Sequence, residues 1–196
     1  MKKNYRIKLI LALILSLTLI FTFGCENEEA NPDSEDTIAE NESDDTPDTS
    51  DILGGSLTDF QTLDFDDNTI TEEIFEEQEV NLIFVWMTGW PSCIQELPEL
   101  ASLKEEFSDK SFSIYGLFAD DIRNIEQAQE FKEDAGLEVT DLLISESILP
   151  AIQRIGFVPY IYFVDNVGEV IPVDAVGAKT LEELVELVNE AFELIE

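Results

Sequence analysis

The sequence predicts an α/β domain with a mixed central sheet, and three features predict it. Two continuous apolar runs of strand length, VNLIFVW (80–86) and SFSIYGLF (111–118), alternate with segments of helical periodicity. Two further strand-like segments, YIYFVD and EVIPVD, close around the turn residues DNVG. A strongly amphipathic helix follows them to the end of the chain. Strands alternating with helices, then a hairpin and a helix, are the pattern of a mixed sheet covered by helices.

The first 24 residues read as a signal peptide. A basic stretch, MKKNYRIK, precedes the apolar run LILALILSLTLIFTF, then Gly24 and Cys25. The run is short for a membrane span, which needs roughly 20 apolar residues. Gly24-Cys25 resembles a bacterial lipobox, with Thr22 where leucine is usual. The expectation is lipidation of Cys25; an uncleaved N-terminal anchor is the alternative. Either places the rest of the chain on the extracytoplasmic face of the cytoplasmic membrane, held there by its anchor.

Residues 25–56 are acidic and polar, with Pro32, Pro47 and few large apolar side chains. Such a segment cannot bury enough surface to offset its ordering entropy, and its like charges repel. It reads as an extended tether. Residues 57–196 then form the folded domain.

Within that domain VNLIFVW is rich in β-branched and aromatic residues and suits a strand buried on both faces. A helix starts at Pro91, where the missing N–H of proline costs nothing, and Pro98 should kink it. SFSIYGLF is a second buried strand. IRNIEQAQEFKEDAG (122–136) is an amphipathic helix capped by Gly136. SESILPAIQRIG (145–156) holds a short helix. Thr180 with Glu183 forms a capping box, and Leu181, Leu184, Val188, Ala191, Phe192 and Ile195 line one face of the last helix.

Composition excludes several function classes. The formal charge is −34, and four of the ten basic residues lie in the first eight positions, so nucleic acid is no partner. There is no histidine, which removes Ser-His-Asp and Cys-His catalysis and most zinc sites. The two cysteines, Cys25 and Cys93, are too far apart for a CxxC pair. No metal or cofactor is implied.

The order of the motifs resembles the TlpA/ResA-like thiol–disulfide oxidoreductases of the thioredoxin-like superfamily, with a redoxin or AhpC/TSA-type domain. FQTLDFDDNTITEEIF is similar to that family's N-terminal hairpin extension. FVWMTGWPSCIQELPEL is similar to its active-site strand and helix, FVPYIYFVDNVGEV to its cis-proline and hairpin, and VGAKTLEEL to its last turn and helix. The resemblance implies a thioredoxin-like fold and a cis peptide at Pro159, with Val158 and Pro159 lining the substrate groove. It also implies protein thiols or disulfides as substrates, and a membrane thiol carrier as electron donor.

The chain departs from that family at one position. Counting from Trp86, the reactive cysteine should stand at residue 90 and the resolving cysteine at 93; Trp90 occupies the first and Cys93 the second. Trp90 cannot attack a disulfide, and a buried Cys93 should be slow and raised in pKa. Glu96 and Glu99 are candidate proton carriers, expected on the helix surface. Three readings stand. The domain has lost dithiol chemistry and binds polypeptide, with Trp90 as an aromatic anchor. Alternatively, Cys93 acts as a monothiol. In the third reading Trp90 is a misread UGA codon, and residue 90 is selenocysteine. A peroxiredoxin reading is weaker: it needs Thr or Ser three residues before its reactive cysteine, and Trp90 holds that place relative to Cys93. Solute-binding lipoproteins share the tether but have larger, two-lobed domains.

Overall fold

A computed structural model describes residues 55–196; the expected signal peptide, Cys25 and most of the acidic tether lie outside them. β1 (Gln61–Leu63) and β2 (Thr69–Thr71) pair as the antiparallel hairpin expected before the main sheet. There follow β3 (Val80–Trp86), α1 (Pro91–Glu106), β4 (Phe112–Phe118), α2 (Ile125–Ala135), β5 (Thr140–Leu143), α3 (Leu149–Ile152), β6 (Tyr160–Val164), β7 (Val170–Val176) and α4 (Leu181–Ile195). The main sheet has the order β5-β4-β3-β6-β7. β3, β4 and β5 are parallel; β6 runs antiparallel to β3, and β7, antiparallel to β6, runs in the direction of the first three. The fold is the thioredoxin-like mixed sheet flanked by helices that the sequence predicts.

β3 sits at the centre because every one of its residues is buried. Its alternation divides the core. Val80, Leu82, Phe84 and Trp86 face a cluster with Leu97, Leu100 and Leu103 of α1 and Leu184, Val188 and Ala191 of α4. Ile83 and Val85 face a second cluster with Leu57, Phe60, Phe75, Ile148 and Ile152. A period of two with both faces apolar is why the run reads as unbroken hydrophobicity.

The caps follow the sequence. Gly136 adopts φ +71 and closes α2, with Leu137 N–H bonding to the Lys132 carbonyl at 2.9 Å. Thr180 and Glu183 form the capping box of α4. α1 runs unbroken through Pro98. One expectation needs correction, and one strand was not foreseen. The helix within 145–156 is confined to the four residues of α3. β5 is a strand that sequence reading did not register, because it is four residues long and carries the charged Asp141.

Residues 55–57, at the end of the acidic segment, are laid against the domain. Gly55 N–H bonds to the Ala151 carbonyl at 2.6 Å and Leu57 N–H to the Gly168 carbonyl at 2.8 Å. A Cβ on Gly55 would stand 2.8 Å from Ala151 Cα, so this glycine permits the close approach.

Among the described residues, no helix is long and apolar enough to cross a membrane.

Candidate functional site

Register places the predicted site residues at one end of the sheet. Trp86, the last residue of β3, pairs with Phe118 at the end of β4, and Val85 pairs with Tyr160 at the start of β6. The turn 87–90 and the segment 157–159 therefore leave the sheet side by side.

Trp90 is the N-cap of α1, with extended backbone (φ −114, ψ 105) and half its surface exposed at 50%. Its side chain makes no capping bond, and its carbonyl accepts Cys93 N–H at 3.0 Å. The turn before it is held by Asp120: Oδ2 accepts both Thr88 N–H at 2.9 Å and the Thr88 hydroxyl. Oδ1 accepts from Asp121 N–H and the Asn124 amide. Burial pushes the Asp120 pKa up, but these donors outweigh it and leave it below the usual carboxylate range.

Cys93 lies one turn into α1 and is fully buried (0% exposed). Burial pushes its thiol up to about 11, and the nearby Glu96 charge adds to the rise against a hydrogen bond from the Met87 backbone. The thiolate is thus scarce at neutral pH.

Glu96 corrects the surface expectation: it is 1% exposed. Its Oε1 accepts the Lys179 backbone N–H at 2.9 Å, while Oε2 is buried without a hydrogen-bond partner. Burial raises its pKa to about 7; the Lys179 N–H works against that rise. Glu99, half-buried, accepts Leu181 N–H at 3.1 Å. The two glutamates of C-x-x-E-x-P-E-L therefore hold the backbone that starts α4. Sequence periodicity missed this because it follows apolar residues, and a buried carboxylate looks like a surface one.

The Val158–Pro159 bond is cis, as the resemblance implied. Pro159 is buried, and its carbonyl accepts Gly177 N–H at 2.9 Å. Val158 packs against the core cluster that contains Cys93. Phe157, just before it, is 73% exposed.

A second polar feature escaped the sequence reading. Asp141, buried in β5, accepts Trp86 Nε1–H at 2.8 Å and is paired with Lys132 Nζ. Lys132 also donates to the Val139 carbonyl at 2.7 Å and lies over the Phe65 ring at 5.4 Å. Burial raises the Asp141 pKa against the pull of Lys132. The only signal in the sequence is a charged residue within the short apolar run DLLI.

The arrangement sets an aromatic side chain at the helix N-cap, a buried thiol one turn behind it, and a cis-proline at the same end of the sheet. Among the described residues no group of three or more Cys, Asp or Glu is placed to hold a metal ion.

This sheet order, cis-proline and motif position define a thioredoxin-fold protein. Residues 53–171 match the AhpC/TSA family, and the chain belongs to it. Solved structures share the fold. The thioredoxin domain of a thiol–disulfide oxidoreductase from Bacteroides vulgatus is 23% identical, with a TM-score of 0.52 over 68% of this chain and 95% of that one. A thioredoxin-family thiol:disulfide interchange protein from Chlorobium tepidum is 14% identical, with a TM-score of 0.58 over 71% and 95%. StoA from Bacillus subtilis is 19% identical, with a TM-score of 0.51 over 66% and 95%. No curated protein matches the chain in sequence.

Proposed function

We propose that this chain is an extracytoplasmic, lipid-anchored thioredoxin-like protein of the thiol–disulfide oxidoreductase type, TlpA/ResA-like, that engages polypeptide without two-cysteine turnover. The observation that carries this is the pairing of a half-exposed Trp90 at the N-cap with a Cys93 that is 0% exposed. The nucleophile's place is filled by an aromatic surface, and the surviving thiol is shielded and protonated. The monothiol reading needs an accessible thiolate, which this burial opposes. The anchor rests on the basic stretch, the apolar run and Gly24-Cys25. Labelled palmitate should attach to the wild type and not to Cys25→Ala; no label on the wild type would overturn lipidation.

The functional test is reduction of insulin disulfides by the full chain with a dithiol donor. Little turnover is expected. Rapid turnover abolished by Cys93→Ser would overturn the reading.

One observation favours a second reading. Residue 90 caps a 16-residue helix, is half-exposed, and stands three residues before Cys93. A selenolate there would gain from the helix N-terminus. It would attack a substrate disulfide to form a Se–S bond and release one thiolate. Cys93 would then displace the second thiolate and close an internal Se–S bond, and a thiol reductant would return the two electrons. Sequencing codon 90 decides: UGG supports the binding reading, and UGA the selenium enzyme.

A further inference from the structure

We propose that the end of the domain carrying Trp90 docks extended polypeptide rich in lysine and arginine around an aliphatic or aromatic anchor. The proposal rests on the polypeptide-engaging reading above and adds to it the charge class of the partner. Two independent observations carry it.

The first is where apolar surface is exposed. Trp90 follows β3, Ile122 (66% exposed) follows β4, Phe157 precedes β6 and Val176 ends β7; all four are exposed. The pairings Trp86↔Phe118, Val85↔Tyr160 and Tyr160↔Val176 put these positions at the same end of the sheet. Ile144, also exposed, follows Leu143, which pairs with Phe118. Large apolar side chains left in water on neighbouring loops mark an interaction surface.

The second is charge. Residues 55–196 carry thirty-two carboxylates against six cations, a formal excess of 26 negative charges. Most of those cations are already committed. Lys132 pairs with Asp141 and Arg123 with Asp121. Lys104 donates to the Glu138 carbonyl, and Lys179 to the carbonyls of Val176 and Gly177. The long-range field of a domain with this excess repels acidic chains and draws basic ones to its apolar end.

Fluorescent twelve-residue peptides without cysteine test this on the full chain in detergent, by anisotropy, so that thiol chemistry plays no part. One peptide flanks Phe, Leu and Val with Lys and Arg. A second replaces the cations with Asp and Glu, and a third replaces the apolar residues with Ser and Gly. The first should bind at least about tenfold more tightly than either of the others, and weaken by about tenfold between low and high salt. Phe157→Ser and Ile122→Ser should each weaken it several-fold. Both side chains are solvent-exposed, so their loss leaves the core intact. Leu194→Ser, on the last turn of α4, should leave binding unchanged. Equal binding of basic and acidic peptides, salt-independent binding, or no binding by any peptide would overturn the proposal. Insulin turnover by the same preparation would instead overturn the reading on which it rests, so the two failures are distinguishable.

Discussion

Glu96 Oε1 accepts the backbone N–H of Lys179 at 2.9 Å, although the two residues are 83 apart in sequence. That bond ties the helix carrying Cys93 to the loop that starts the last helix. It also places a carboxyl group in the core one turn from Cys93, with Oε2 unpartnered.

The burial of Glu96 makes stability depend on pH. Its pKa rises from 4.5 in the unfolded chain to about 7 when folded. Below the unfolded value both states hold the proton and nothing is lost. As pH rises through that window the unfolded chain ionises first, so stability falls, by on the order of 3 kcal/mol when complete. Glu96→Gln keeps an acceptor for Lys179 and removes the titration. Denaturant melts at pH 5, 6, 7 and 8 should show the wild type losing stability relative to Glu96→Gln as pH rises. Parallel curves would refute the assignment.

Cys93 should resist alkylation. With its thiol pushed up to about 11 and no exposed surface, reaction with iodoacetamide at pH 8 should be about 100-fold or more slower than for a free cysteine. Mass spectrometry over time reads this directly. Denaturant should restore the ordinary rate.

Asp141→Ala should cost about 3–5 kcal/mol, because it strands the largely buried ammonium of Lys132 and unpairs the Trp86 indole. The double substitution Asp141→Leu with Lys132→Met should recover much of that loss, since no charge is then left unpaired. Gly116→Ala should also destabilise, its Cβ falling 1.9 Å from Asp141 Oδ1. Chemical denaturation of the three variants beside the wild type measures these costs.

Gly168→Ala should loosen the strap at residues 55–57. Gly168 sits at φ +84, and a Cβ there would lie 2.4 Å from the Leu57 carbonyl oxygen. A cost of about 1–3 kcal/mol is expected, with faster amide exchange at Leu57. Unchanged exchange at Leu57 would show that the strap does not depend on this contact.

Much of the fold was legible because its signals are local. The continuous run 80–86 announced the central strand, and Gly136 and the Thr180–Glu183 pair announced helix ends, while the cis peptide at Pro159 came from the family resemblance. β5 escaped because a four-residue strand gives too little periodicity to weigh against its aspartate. The site was legible only in part. Counting residues singled out Trp90 and Cys93, yet nothing local distinguishes a buried Glu96 from an exposed one.

The sequence alone therefore determined the order of elements, the absence of a second cysteine beside Cys93, and the strong acidic charge, since each depends on residue identity and spacing. Only the tertiary structure decided that Cys93 and Glu96 are sealed in the core, that Asp120 holds the turn at Thr88, and that Asp141 meets Trp86 across 55 residues. Burial and long-range pairing are set by which surfaces the packed sheet brings together, and no stretch of sequence contains both sides of such a contact.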